Sequence, residues 1–194
     1  EHPQELINQI RYGREAQNDL LPAADYKLVH NQKQGDSRGV YSFCMCPGGV
    51  VVTTPTEPEA LCINGMSHAA RSGNYANSAL VVTVTPEDFA KAGHTGTFAG
   101  FKFQDEIERK AFAAGGGDFV APAQRVEDFL HDRPSKDLPK NSYILGTVPV
   151  DMREVLPPFI VQGMKDAILH FDRRVRGFAG PDGVLIAPET RTTA

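Results

Sequence analysis

Two of the three cysteines in this chain lie within the six-residue stretch CMCPGG, residues 44–49. Cysteine thiolates bind metals and carry out redox chemistry, so this stretch is the first candidate for a chemical role. The residues around it alternate as in a β-strand, which predicts that Cys44 and Cys46 share a face with Cα atoms about 6.5 Å apart. That separation is near the upper limit for an unstrained disulfide.

A metal site would need further ligands besides this pair. Zinc sites usually space paired cysteines by two to four residues on a loop. Cys62 and His68 would leave a fourth ligand unidentified, so we predict no metal. No basic residue stands near in sequence to lower a thiol pKa. We therefore interpret the cysteines as small buried side chains, and a thiol or metal site remains an alternative.

The residues Pro47, Gly48 and Gly49 follow the cysteines and predict a tight turn that ends a strand. Glycine there can adopt the positive φ that such turns require. It could also let the backbone lie against a flat ligand, where a Cβ would collide, and both interpretations stay open. The sequence contains neither a dinucleotide-binding nor a phosphate-loop fingerprint.

A polar segment follows, between two apolar stretches. Loops at the ends of sheets commonly carry binding sites, although such side chains also satisfy their own backbone. The hydrogen-bonding residues of this segment are Asn64, Ser67, His68, Arg71, Asn74, Asn77 and Ser78.

Near the end of the sequence, Glu189 and Arg191 follow an apolar strand and share a face. They could pair with each other, or the arginine could hold an anionic group such as a cofactor phosphate or a substrate carboxylate. The six histidines are scattered, and none forms part of a recognisable catalytic motif.

The elements that position these residues can be predicted from periodicity and caps. Helices are expected at 3–12, from Pro86 to Gly93, at 102–113, at 123–130, and from Pro158 to Gly177. Strands are expected at 25–30, 39–46, 50–54, 60–64, 78–84 and 183–187. The order predicts an α+β fold with a mixed, mainly antiparallel sheet, a β-meander with helices packed on it.

Length and charge limit the function classes. The 194 residues suit a single domain, 1–194. A net charge of −4 gives no indication of a nucleic-acid or membrane partner. Three cysteines do not make a secreted disulfide framework, so a cytoplasmic location is expected. The ends, Glu1 and Ala194, are those expected of a piece of a longer protein.

Several stretches, taken in order, carry a resemblance to a known family. They are EHPQELINQIRYG (1–13), LPAADYKLVH (21–30), VYSFCMCPGG (40–49), INGMSHAARSGNYANSALVVTV (63–84), FQDEIERKAF (103–112) and ETRT (189–192). Together they resemble the uncharacterised FAD-dependent, or NAD(FAD)-utilising, dehydrogenases. The chain resembles the segment of these proteins that is inserted between two parts of an FAD-binding domain. The resemblance therefore implies that the chain is an excised middle domain.

The resemblance implies a substrate or cap domain that covers the flavin ring, with a small-molecule substrate and the FAD-binding domain of the same chain as partners. FAD would bind the longer protein, and NAD(P)H could serve as electron donor. A non-enzymatic binding or assembly domain is the alternative. The residues implied to face or support the flavin or substrate site are Pro47, Gly48, Gly49, Asn64, Gly65, Met66, Ser67, Arg71, Asn77, Ser78, Glu189, Thr190 and Arg191.

Overall fold

The structure is a computed structural model that describes residues 1–31 and 38–190. It has helices and mainly antiparallel strands, which confirms the predicted α+β fold. The strands are β1 (His2–Pro3), β2 (Val29–Asn31), β3 (Gly39–Thr53), β4 (Ile63–Ser67), β5 (Tyr75–Val82), β6 (Ala121–Arg125), β7 (Thr147–Pro149) and β8 (Val184–Ile186). The helices are α1 (Gln4–Tyr12), α2 (Pro86–Lys91), α3 (Ala99–Ala114), α4 (Val126–Leu130), α5 (Met152–Val155) and α6 (Pro158–Asp172).

The long strand β3 organises the larger sheet, because β2, β4 and β5 all pair with it in antiparallel fashion. The predicted break at Pro47 was wrong: β3 continues through the glycines. Its pairing with β5 shifts register between Phe43 and Cys46 and again between Cys46 and Gly49. Such bulges bend a strand without ending it.

The same shifts correct the prediction for the cysteine side chains. Phe43 pairs with Ala79 and Cys46 pairs with Asn77, two partners that lie on the same face of β5. Cys46 therefore lies on the face of Phe43 and not, as the alternation predicted, on the face of Val40 and Ser42. Cys44 lies in the bulge, with a φ of 43°, and is exposed.

The strands on either side of the polar segment are displaced from their predicted positions. β4 begins at Ile63 and continues through Ser67, and β5 begins at Tyr75, so much of the predicted loop is strand. The predicted strand at 25–30 is reduced to β2. The bounds of β2, β4 and β5 are set by which of their residues pair with the backbone of β3. That pairing cannot be read from the local sequence of any of these strands.

A smaller sheet has the order β7-β6-β8. It contains β6, so the predicted helix at 123–130 is wrong over residues 123–125 and is reduced to α4. Pairing with β7 on one side and β8 on the other holds this stretch extended. Tertiary pairing overrides a short amphipathic pattern in such a case.

Two hydrophobic cores fill the space between the sheets and helices. The apolar stripe of α6 packs with Val40 and Ala76 of the larger sheet, and α3 packs with Val51 and Ile63 from the bent end of that sheet. α6 ends at Asp172, several residues before the predicted stop, although Val175 stays buried. Within the described ranges, no helix is both long and apolar enough to cross a membrane.

A buried ion pair fastens α2 to the start of β3. The Arg38 guanidinium donates hydrogen bonds of 2.7 and 2.6 Å to the two carboxylate oxygens of Asp88 and lies 4.3 Å from the ring centre of Phe159. Asp88 also accepts from the backbone and hydroxyl of Thr85, which confirms the predicted helix cap. The hydrogen bonds from Arg38 hold the pKa of the Asp88 carboxyl well below its usual range.

We expect Asp88→Asn to destabilise the fold by about 3–5 kcal/mol, since it removes a buried carboxylate charge that accepts two hydrogen bonds from the Arg38 guanidinium. The control is Asp105→Asn, which removes an exposed pair with Arg109 and should cost no more than about 0.5 kcal/mol. Urea unfolding at neutral pH measures both. Equal losses in the two variants would contradict a structural role for the buried pair.

Candidate functional site

The glycine corner, residues 47–49, is buried beneath the loop that follows β4. Gly48 has a φ of 55°, and a Cβ added there would lie 2.1 Å from the carbonyl oxygen of Arg71. The backbone N–H of Gly73 also donates to the Gly48 carbonyl over 3.2 Å. The close approach that this glycine permits is thus to the chain's own loop. Contact of the corner with a flat ligand stays a prediction.

A buried glutamine supports the corner from below, and sequence reasoning missed it. The Oε1 atom of Gln4 accepts from the backbone N–H of Gly48 over 2.7 Å. Its Nε2 donates to the Ala24 carbonyl and to Asn8, each over 2.9 Å. The available signal was its place in EHPQ, the first of the stretches that carry the family resemblance.

A cavity of about 640 Å³ lies between β5, the helices α3 and α6, and β8. Its walls are mostly apolar, but one part is polar. Six of the predicted site residues line it: Asn64, Gly65, Asn77, Ser78, Glu189 and Thr190. The others that the structure describes do not: Pro47, Gly48, Gly49, Met66, Ser67 and Arg71. Arg191 lies outside the described residues.

Asn77 is the most informative of these residues. Its side chain is 4 % exposed, and neither Nδ2 nor Oδ1 has a hydrogen-bond partner in the described part of the chain. A Cβ added to Gly65 would lie 2.0 Å from that Oδ1, so the glycine makes room for the amide. A buried amide without partners costs about 1–3 kcal/mol, which a bound polar group would offset.

Ser78 and Thr190 have other partners, although both line the cavity. The Ser78 hydroxyl lies 3.0 Å from the hydroxyl of Tyr26. The Thr190 hydroxyl donates to the buried carboxylate of Glu108, and its carbonyl accepts from Gln104 over 2.6 Å. These contacts hold Ser78 and Thr190 in place at the edge of the cavity.

Two titratable groups at the polar part of the cavity and beside Asn77 have raised pKa values. Burial raises the pKa of the Cys46 thiol, and the neighbouring Cys44 and Glu189 act in the same direction, against the opposing effect of Arg71. Burial also raises the pKa of the Glu189 carboxyl. Cys46 is therefore a poorer nucleophile than an ordinary cysteine at neutral pH, while a protonated Glu189 can donate a hydrogen bond.

The cysteines are dispersed. Cys44 is exposed, Cys62 is buried, and the Cys46 thiol donates to the Cys44 carbonyl over 3.1 Å. The prediction of small buried side chains therefore holds for Cys62 and is wrong for Cys44. Across residues 1–31 and 38–190, no group of three or more His, Cys, Asp or Glu side chains could hold a metal ion.

The contact beneath the loop gives a direct test of the corner. We expect Gly48→Ala to cost about 2–5 kcal/mol, because the methyl group adds overpacking to the penalty of a positive φ. The matched control is Gly93→Ala, which also has positive φ but meets no atom within 4 Å; it should cost about 1–2 kcal/mol. Thermal unfolding compares them, and an equal loss would mean that the contact with Arg71 is unimportant.

The Glu189 carboxyl predicts a pH dependence. Because its pKa is raised in the folded state, ionisation opposes folding, and stability falls as pH rises through that pKa. Glu189→Gln is neutral at every pH, so its melting temperature should exceed that of the parent at about pH 7.5. The difference should close below the ordinary glutamate value of 4.5. The exposed Glu57→Gln variant is the control; a pH-independent difference for Glu189→Gln would contradict the buried-acid interpretation.

Comparison with known proteins agrees with the resemblance seen in the sequence. Residues 1–192 match the family described as "FAD-dependent protein, C-terminal domain-like". An uncharacterised protein of Clostridium beijerinckii is 47% identical over 196 residues, an alignment that covers 100% of this chain and 36% of that protein. The chain thus spans just over a third of the length of its relative. It belongs to the family of FAD-dependent proteins, as their C-terminal domain-like part.

Proposed function

We propose that this chain is a single substrate or cap domain of a longer FAD-dependent oxidoreductase, a dehydrogenase that acts on a small molecule. The observation that carries the proposal is membership of an FAD-dependent family over residues 1–192. Its expected partner is the FAD-binding domain of the same longer chain. FAD, when bound, supplies the hydride or electron acceptor, and the protein supplies orientation and electrostatics.

The cavity around Asn77 has groups that could bind the flavin ring of FAD or a polar substrate. Within the described part of the chain, it has no feature that would bind the phosphates of FAD. The Asn77 amide has one donor and one acceptor group free in a mostly apolar cavity. A ring edge that has an N–H beside a carbonyl offers the complementary pair, and so does an amide or carboxylic acid substrate. The sequence contains no phosphate-binding loop, so the pyrophosphate would be held by another part of the longer protein.

Each group at the polar part of the cavity has a role in this proposal. Asn64 and Asn77 orient the bound ring or substrate, while the Glu189 carboxyl, whose pKa is raised by burial, forms a hydrogen bond with it. The apolar walls exclude water. Arg71, exposed on the loop above the glycine corner, would attract an anionic group. Gly65 gives Asn77 its space, and the glycine corner with Ser67 holds the loop, because the Ser67 hydroxyl donates to the Pro47 carbonyl over 2.9 Å.

The alternative is a non-enzymatic binding or assembly domain, with the exposed side chain of Met66 as part of its contact surface. A redox role for Cys46 is disfavoured by its raised pKa. No feature of residues 1–31 or 38–190 supports NAD(P)H as electron donor. A cytoplasmic location, the absence of a nucleic-acid partner and the role of Arg191 stay predictions.

The absorption spectrum of the longer protein tests the main proposal. We expect it to purify yellow, with a flavin spectrum that bleaches on reduction. A longer protein that takes up no flavin when FAD is added would remove the oxidoreductase proposal and favour the binding-domain alternative.

Two substitutions test the site within the longer protein. Asn77→Leu and Arg71→Ala should each weaken flavin or substrate binding by about 1–3 kcal/mol, the usual cost of losing a hydrogen bond to a buried or charged partner. Asn77→Leu should not lower stability, because it removes a buried amide that has no described partner. Gln162→Leu on the exposed face of α6 is the matched amide-to-leucine control. Unchanged flavin occupancy and turnover in both variants would show that these residues are structural.

A further inference from the structure

We propose that the cavity receives a β-strand: in the longer protein, the residues before Glu1 extend β1 between β5 and β8 and join the two sheets into one. This inference concerns the pairing of the chain with itself. It requires no flavin and no substrate.

The first support is the position of β1, which already touches both sheets. On one side His2 pairs with Ala76, antiparallel to β5. On the other side Glu1 and Val184 exchange two backbone hydrogen bonds, of 2.8 and 2.9 Å. A single strand thus fills the space between β5 and β8 at this end, so the gap is one strand wide.

The second support is the free edge of β5. On its β1 side, the described chain pairs only Tyr75 and Ala76. Thr83 donates its N–H to Gly39 of β3, so the odd-numbered residues of this part of β5 turn their backbone groups toward β3. Backbone direction alternates along a strand. Leu80 and Val82 therefore turn theirs toward the cavity.

The free edge of β8 faces the same space. The backbone of Gly183 accepts from Val126, and that of Ala187 donates to Pro122, so these two residues face β6. By the same alternation, Val184 and Ile186 face away from β6. Val184 bonds to Glu1, and the next such position, Ile186, lines the cavity.

The third support is the register. The pairing of His2 with Ala76 and of Pro3 with Tyr75, continued backwards, sets the residue just before Glu1 opposite Ser78 and the second residue before it opposite Ala79. A strand of about five residues would extend about 17 Å and reach Val82. The cavity is lined along this path by Ser78 to Val82 on the β5 side and by Val184 to Ala187 on the β8 side. Beyond Ala187 the Pro188 carbonyl accepts from the backbone N–H of Ile63, so the pairing with β8 would end there.

The walls also predict the pattern of the missing strand. Directly opposite residues of an antiparallel pair share a face. The residue just before Glu1, and every second one before it, would share the face of Leu80 and Val82, which pack against the α6 core. Side chains at the alternate positions would share the face of Asn77. The strand should therefore have apolar residues at the first set of positions and accept polar ones at the second.

A register-specific disulfide tests the occupant in the longer protein. Cysteines introduced at Ala79 and at the second residue before Glu1 should form a disulfide on mild oxidation, detected by peptide mass spectrometry. Cysteines at Ala79 and at the first residue before Glu1, whose side chains would lie on opposite faces, should not. Equal cross-linking in both pairs, or none in either, would overturn the proposal.

Amide hydrogen exchange on the unmodified longer protein gives an independent measure. The N–H groups of Leu80 and Val82 should exchange within about tenfold of those of Ala79 and Val81, which bond to β3, both with and without added FAD. If the N–H groups of Leu80 and Val82 exchanged at least about a thousandfold faster than those of Ala79 and Val81, the proposal would be overturned. Protection that appears only after FAD is added would also overturn it, since the cavity would then hold a ligand. Loss of flavin binding with protection retained would count against the proposed function alone.

Discussion

Backbone hydrogen bonding along the bent strand β3 is the interaction on which the rest of the structure depends. Its first half pairs with β2 and β5, and its second half pairs with β4. The bend at residues 44–49 turns Val40 toward the core under α6 and Val51 toward the core under α3. One strand therefore contributes to both cores, and the polar groups of the candidate site gather where it bends.

The bend also explains why so many small residues occur here. Gly48 passes under the backbone of Arg71, and Gly65 passes beside the amide of Asn77, at distances that no other residue would tolerate. Gln4 fixes the bend from the opposite side. The close packing around these residues holds in place a buried amide that has no described hydrogen-bond partner. Such an arrangement is typical of a site that is preorganised for another polar group.

The proposed strand and the proposed site share one cavity without competing for it. A strand between β5 and β8 would occupy the part lined by backbone edges and apolar side chains. The polar part, with Asn64, Asn77 and Glu189, lies on the face that alternate residues of that strand would also reach. The continuous sheet that results would be covered by α6 and α3 on its two faces, as expected for a strand buried on both sides.

The sequence by itself determined the features that depend on near neighbours. The helices α1, α2, α3 and α6 follow from apolar residues at helical spacing and from caps such as that of Thr85, and the motifs in order identified the family. The passage of β3 through its glycines, the strand at 121–125 and the open amide of Asn77 were decided by the tertiary structure alone. Each depends on residues distant in sequence, such as Gln4, Arg71 and the strand β8, and a local pattern contains no information about such partners.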